Sequence, residues 1–475
     1  MSRILPVAGA LFLSFALACS SSSSSQPTTS TPPPAAEDPQ ATADAKAALL
    51  PAIDALVDLR FEATAEDRAG VVATFNTSKV TFPELDALVR GGRAAYPKAS
   101  PALLGKITKQ TLTTYFTDYT GAYYLYVPEG YDPVQAYPLV FVAHGGNSAM
   151  PVATAESAAH DYIGAYWPAL GKDFKAIVVA PATTVGWGGV GNVILFDTIS
   201  KLSRQFHIDA EKVYVTGQSM GGHMSYRTAL NFGDRFAAFS PQSGGYDYAS
   251  TEKGDVIPNL FTSSAYVTYG TTAKGELYGI GDDNNKNKTW LDAHHYDWTM
   301  VEKDGGHEIY ADEQPKVATF FASHPRQTYR KKTYYKGGGG MAFTAEQLDT
   351  WDRGYKAVPG RVLRWNARHW LEVTPRPGAK EAMVFYGDVG EGNTITIEST
   401  GVRNLRVYVH PSMGLDLAQP ITVVVNGETL SSAVVTPSIE TFLDQLRDFD
   451  DRGRLFWGAI DVAVTTDHAV PEPSN

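Results

Sequence analysis

The spacing of apolar residues changes three times along this chain, and each change predicts a different kind of structure. Between about 43 and 112 apolar residues recur every three or four positions. Leu49, Leu50, Ile53, Leu56 and Val57 form one such stripe, crossed by Pro51. Thr81-Phe82-Pro83-Glu84 reads as a capping-box start with an early proline, continued by Leu85, Leu88 and Val89. This segment is expected to be helical, with a packing or covering role. From about 113 strands and helices alternate. Thr113–Tyr119 and Ala122–Val127 suggest a hairpin through Thr120-Gly121, and Leu139–Ala143 and Ala176–Ala180 are short apolar runs of the kind buried on both faces of a sheet. Ile194, Leu195, Thr198, Ile199 and Leu202 share one helical face. Further strands are expected at Val213–Val215, Phe236–Phe239, Glu276–Ile280 and Tyr296–Val301, with a helix near Pro315–Phe321. The succession predicts a mostly parallel sheet with helices on both sides over 113–324.

Beyond it lies a basic, aromatic connector at 325–360 that contains Gly337 to Gly340. From about 361 the period becomes two. Ile395 and Ile397 alternate with polar residues, as do Leu405, Val407 and Val409, and Ile421, Val423 and Val425. Asn426-Gly427 is a type I′ hairpin signal, and Ser438–Asp448 fits one helix. Residues 361–475 are thus expected to form a separate β-rich domain.

The most specific chemistry sits in Gly217-Gln218-Ser219-Met220-Gly221-Gly222, between the apolar run Val213–Val215 and a helix expected from His223 to about Asn231. Strand, tight small-residue turn and helix form the context of a nucleophile elbow, so Ser219 is the candidate nucleophile. The N–H of Met220, at the helix start, is one candidate oxyanion donor. His144-Gly145-Gly146-Asn147 follows an early strand, as the loop carrying the second donor should. Gly146 is the first choice for that donor and Asn147 the second, and His144 is read as structural. The base should come last in the order Ser, Asp/Glu, His, and His307 in Asp304-Gly305-Gly306-His307 fits. If Glu276–Ile280 is a strand, the acid lies just past it in Gly281-Asp282-Asp283. Asp282 is then the expected acid and Asp283 the alternative, with Glu276 and Asp292 behind them, read as solvated loop charges. Trp187, in a glycine-rich loop, is a candidate for lining the substrate cleft or for packing.

Net charge is −11, without a long basic run, which argues against nucleic acid as a partner. There is no HExxH, no paired His/Cys spacing and no phosphate-binding loop, so neither metal nor cofactor is expected. The first residues change the expected location. Arg3, an apolar run from Ile4 to Ala18, and Cys19 before a serine run resemble a bacterial lipoprotein signal. Residues 1–18 then form the signal, Cys19 is the lipidation site and the one cysteine of the chain, and 19–42 form a Ser/Thr/Pro-rich tether. That implies export and anchoring to the cell envelope, at the outer membrane or cell surface. An ordinary secretory signal is the alternative.

Tyr126-Val127-Pro128-Glu129-Gly130-Tyr131-Asp132, Tyr137-Pro138-Leu139-Val140, His144-Gly145-Gly146 and the elbow together resemble secreted α/β-hydrolase esterases. The nearest patterns are feruloyl and acetylxylan esterases, poly(hydroxyalkanoate) depolymerase-like esterases and prolyl-oligopeptidase-like hydrolases. Ile208-Asp209-Ala210-Glu211-Lys212 and Pro241-Gln242-Ser243-Gly244 fit the same pattern. The resemblance implies an α/β-hydrolase fold over 113–324 and a serine esterase acting on an ester substrate, possibly polymeric. A prolyl-oligopeptidase-type peptidase and an inactive surface-binding protein are the alternatives. The chain departs from the family's usual His-Gly-x-x-Asp at Tyr278-Gly279-Ile280-Gly281-Asp282, which leaves the acid open.

Overall fold

A computed structural model describes residues 39–147, 149–246, 256–337, 358–361, 363–364, 366–377 and 383–473. The signal segment, Cys19, most of the tether and Gly338 to Gly340 lie outside these residues. The described residues from Gln40 to Pro473 fold as one compact unit.

Its centre is an eight-stranded sheet of β1 (Ile107–Thr113), β2 (Thr120–Tyr126), β3 (Tyr137–Ala143), β4 (Ile177–Pro181), β5 (Ile208–Gln218), β6 (Ala238–Gln242), β7 (Ala265–Gly270) and β8 (Trp298–Lys303). The spatial order is β1-β2-β4-β3-β5-β6-β7-β8. β2 runs antiparallel to β1 and β4, and every pairing from β4 through β8 is parallel. β3 and β4 are apolar on both faces, as parallel strands between two helical layers must be. Leu139 and Phe141 point to one core, shared with α5 (Val190–Gln205), α6 (Met220–Phe232) and α7 (Ile280–Ala293). Val140 and Val142 point to the other, shared with α4 (Val152–Trp167) and α8 (Gln314–Ser323). This is the expected α/β-hydrolase arrangement.

Several strand positions differ from expectation, β8 among them, expected at Tyr296–Val301. The hairpin exists, but its first strand is Ile107–Thr113, with Thr113 opposite Thr120. The segment Tyr115 to Tyr119 is the connection, held by Thr114 and Thr117 hydroxyls. The strand expected at Phe236–Phe239 lies slightly later, at β6. Glu276–Ile280 is not a strand. β7 lies upstream, Glu276 sits in the loop that follows it, and Ile280 opens α7.

The N-terminal segment forms α1 (Pro39–Leu59), α2 (Ala65–Ser78) and α3 (Phe82–Arg90). The capping box at Thr81 and Glu84 is present. These helices bury Leu49, Ile53, Val71, Leu85 and Val89 against Phe442, Leu443 and Leu446 of α9 (Ile439–Phe449), so their role is packing against the C-terminal region.

That region is a two-sheet structure around its own core. One sheet orders β10 (Ala367–Arg368), β11 (Leu371–Pro375), β14 (Val402–Val409) and β17 (Gly458–Ala463). The other orders β16 (Glu428–Ala433), β15 (Ile421–Val425), β13 (Thr394–Thr400), β12 (Val384–Val389) and β9 (Lys332–Lys336). Asn426 and Gly427 both have positive φ in the β15–β16 turn, as type I′ requires. β9 lies inside the expected connector. It is an edge strand of the second sheet, and its Lys336 exchanges hydrogen bonds with Asn259 of the hydrolase region at 2.7 and 2.9 Å. The second sheet thus includes a strand from within the expected connector 325–360.

Candidate active site

β5 ends at Gln218 and α6 begins at Met220, which leaves Ser219 alone at the turn. Its φ of 59° and ψ of −122° are strained for a residue with a Cβ, a cost on the order of 1–3 kcal/mol. The surroundings fix it there. The Ser219 N–H donates to the Gln242 carbonyl of β6 at 3.0 Å, and its own carbonyl accepts from His223 N–H at 2.9 Å. The turn also needs glycine beside it. A Cβ at Gly221 would overlap the Ala143 carbonyl at the end of β3.

His307 lies in the loop between β8 and α8, and its Nε2 is 2.8 Å from Ser219 Oγ. Its Nδ1 is 2.6 Å from Glu276 Oε1. With both ring nitrogens engaged, the Ser219 hydroxyl donates to Nε2 and Nδ1–H donates to the carboxylate. Glu276 is sealed from solvent while His307 stays partly open. Burial pushes the Glu276 pKa up. Hydrogen bonds from His307, Gly270 N–H, Ser243 and Leu277 N–H outweigh it and hold the carboxyl below its ordinary value. The two backbone donors lie 2.7 and 3.0 Å away.

Glu276 therefore stands where Asp282 was expected. Asp282 is exposed in the first turn of α7, where the Thr272 hydroxyl donates to it at 3.4 Å. Asp283 is in the same turn with Lys286 at 3.7 Å. Neither reaches His307. The physical reason is the position of the preceding strand. Ala265-Tyr-Val-Thr-Tyr-Gly270, rich in β-branched and aromatic residues, is the β7 that orders this loop, and recognising it would have placed Glu276 in reach of the base.

The loop after β3 is braced by buried groups. The His144 ring is fully buried, and desolvation lowers its pKa despite a hydrogen bond to Gly145. Its Nε2 accepts from Thr183 N–H at 3.0 Å, so Nδ1 carries the proton and donates to the Gly145 carbonyl at 2.7 Å. Trp187 is not in the cleft. It is 1% exposed, stands edge-on to Phe141 and His144, and donates Nε1–H to the His144 carbonyl at 2.9 Å. A tryptophan so enclosed acts on the loop from behind. Gly146 has φ 122°, open only to glycine, and a Cβ there would overlap the Met150 thioether. Asn147 is exposed and uses its side-chain oxygen to cap Ala149 N–H at 2.9 Å. Gly145 and Ser219 nearly touch, since a Cβ on Gly145 would lie 3.2 Å from that of Ser219. Met220, the first helical residue, has an N–H with no carbonyl partner in its own helix. The two sequence-chosen donors thus sit on the two segments that meet at Ser219.

A strained serine, a histidine and a buried carboxylate in that chain order, at the strand ends of this sheet, define the α/β-hydrolase class. The comparisons agree. Residues 190–294, which hold Ser219 and Glu276, match the prolyl oligopeptidase family. A probable feruloyl esterase C from Aspergillus terreus is 33% identical over 127 residues, which are 26% of this chain and 46% of that one. Poly(3-hydroxyalkanoate) depolymerase C from Paucimonas lemoignei is 25% identical over 230 residues, 43% of this chain and 52% of that one. The chain spans about half the length of the curated relatives it matches. A ferulic acid esterase structure from Anaeromyces mucronatus aligns at 15% identity and TM-score 0.36, covering 46% of this chain and 91% of that one.

Proposed function

We propose that this chain is a serine hydrolase that cleaves carboxylic esters through an acyl-enzyme. The observation that carries this reading is the unbroken hydrogen-bonded line from Glu276 through His307 to Ser219. Ser219 Oγ attacks the acyl carbonyl carbon while its proton passes to His307 Nε2. The carbonyl oxygen gains the negative charge and is held by the N–H groups of Met220 and Gly146. The C–O bond to the alcohol breaks, and Nε2–H protonates the departing oxygen. Water then gives a proton to Nε2 and its oxygen to the acyl carbon, and the acid leaves as Ser219 is restored. Glu276, kept ionised, holds Nδ1–H and offsets the charge of the imidazolium.

Feruloyl esterases and a polyester depolymerase among the relatives support ester substrates joined to polysaccharide or polyester. Export and lipid attachment at Cys19 belong to the same proposal, supported by the signal-like N-terminus. A peptidase is the second reading, favoured by the prolyl oligopeptidase match over 190–294. The test is labelling of the protein, with residues 1–19 removed, by a fluorophosphonate, beside Ser219→Ala. Labelling mapped to Ser219 and lost in the variant is expected. A folded protein that takes up no label overturns the proposal. Acetyl, feruloyl and hydroxyalkanoate esters against Pro-containing peptides then separate esterase from peptidase.

A further inference from the structure

The oxyanion loop and the nucleophile turn come from different strands, yet they must hold one geometry at Ser219. His144 and Trp187 anchor the loop to the protein behind it, through hydrogen bonds to Gly145, Thr183 and the His144 carbonyl. One side chain bridges the two segments. Tyr162, on the third turn of α4, donates its hydroxyl to Gln218 Oε1 at 2.6 Å. Gln218 is the residue immediately before Ser219, and its side chain is buried. The same Tyr162 oxygen lies against Gly145 of the loop after β3. It packs so closely there that a Cβ on Gly145 would overlap it. The Tyr162 ring also stands edge-on to His144, with centroids 6.5 Å apart.

This geometry has two consequences. The tyrosine oxygen donates to the elbow and packs on the loop, so it fixes the spacing between them. Burial raises the Tyr162 pKa, which keeps on the hydroxyl the proton that Gln218 requires.

We propose that Tyr162 and Gln218 are positioning residues for acyl transfer: the Tyr162 hydroxyl sets the distance between the oxyanion donor on Gly146 and the nucleophile Ser219. The proposal rests on the ester-hydrolase reading above. The His307 ring nitrogens are engaged by Glu276 and Ser219, not by Tyr162, which is assigned to act through the backbone of the loop and the elbow.

The test is a double-mutant cycle of Tyr162→Phe and Gln218→Leu. It is read by the second-order rate of fluorophosphonate inactivation and by kcat/KM on a soluble aryl ester across pH. Each single variant is expected to lower both rates about 10- to 100-fold, somewhat less than deleting an oxyanion donor outright. The double variant is expected to be no slower than the worse single one, because both cut the same bridge. The pH midpoints should stay where they are, since the His307–Glu276 pair is untouched. Equal rates in wild type and Tyr162→Phe, additive losses in the double variant, or a displaced pH profile would each overturn the bridge. Wild-type protein that fails to label would overturn the hydrolase reading instead, so the two failures are distinguishable. If Tyr162→Phe does not fold, Gln218→Leu alone, checked by its melting temperature, decides through the same rates.

Discussion

The choice between Glu276 and Asp282 turns on a single contact, the 2.6 Å approach of a carboxylate oxygen to His307 Nδ1. Glu276→Gln keeps the shape but presents either an amide group that cannot balance an imidazolium or an oxygen without full charge. Activity is expected to fall roughly 10³- to 10⁴-fold, the scale found when the acid of such a triad becomes its amide. Asp282→Asn should stay within about twofold of wild type, because surface changes away from the site rarely exceed ~0.5 kcal/mol. Steady-state kinetics on both variants checks the assignment, and the reverse ranking would restore Asp282. Glu276 also affects stability. Its pKa is lower in the fold than in the unfolded chain, so its contribution is complete above the ordinary carboxylate range and is lost as pH falls through the lowered value.

Elements deliver these residues, and their bracing has measurable effects. Trp187 holds the His144 carbonyl from within the core. Trp187→Phe keeps an aromatic ring but removes the donor, leaving a buried carbonyl unpaired. A stability loss of about 1–3 kcal/mol is expected. A fall in kcat should accompany it, because the loop that carries Gly146 loses its rear support. Urea unfolding and single-substrate kinetics on the same preparation check both effects, and a stability loss with full activity would make Trp187 a packing residue only. The same residue shows what was readable in the sequence. Its buried role was one of two readings, since a glycine-rich loop fits either a cleft wall or a core anchor. The elbow, the His307 loop and the central strands β3, β4 and β5 were legible because each has a strong local signature. Glu276 was not, because it has no turn or cap motif of its own and depends on where β7 ends. A shift of one strand along the sequence exchanged a helix-start aspartate for the true neighbour of His307. Tyr162 carried no signal at all. It is one tyrosine on an amphipathic helix, and only the fold brings its hydroxyl to Gln218. The connector failed for a similar reason, since Lys332–Lys336 gains its partner β12 from some fifty residues downstream.

At the scale of the whole molecule, ion pairs, several of them buried, join the helical, hydrolase and β-rich regions. Arg204 of α5 pairs with Asp58 of α1 at 2.9 Å and with Asp450 at 2.8 Å. Arg326 pairs with Asp451 at 2.6 Å and Glu211 at 3.4 Å, and Arg452 pairs with Asp54. Burial raises the Asp450 pKa, but Arg204 and Arg60 outweigh it and bring the carboxyl down to about 2. Such pairs hold over the physiological range and lose their contribution only as pH falls toward the lowered carboxylate values, so the decline that starts near pH 6 comes from other groups. His144, His369 and His410 are buried and kept neutral by desolvation, the last two pushed down to about 3. Unfolded histidine titrates near 6.5, so below that pH the unfolded chain takes up protons that the fold refuses. Stability must then fall as pH falls. Asp197 works the other way. Burial, against the pull of Arg60, raises it to about 6, so the fold keeps its proton there longer than the unfolded chain does. Asp86 is raised by burial as well, and the three histidines set against these two aspartates leave net proton uptake on unfolding between about pH 6 and 4.5. Each proton is worth about 1.4 kcal/mol per pH unit. His410 is the cleanest to remove. It stacks on Tyr329 at 4.0 Å, stands edge-on to Trp457, accepts the Ser412 N–H at 3.0 Å and has Nε2 3.9 Å from Asp86 Oδ1; phenylalanine preserves the ring contacts. His410→Phe is expected to lower stability at pH 7 by about 1 kcal/mol through the lost hydrogen bond. It should also flatten the decline between pH 6 and 4.5 by about 1.4 kcal/mol per pH unit. Urea midpoints for both proteins at pH 7, 6, 5 and 4.5 test this. Parallel curves would mean that His410 titrates alike in the folded and unfolded chains.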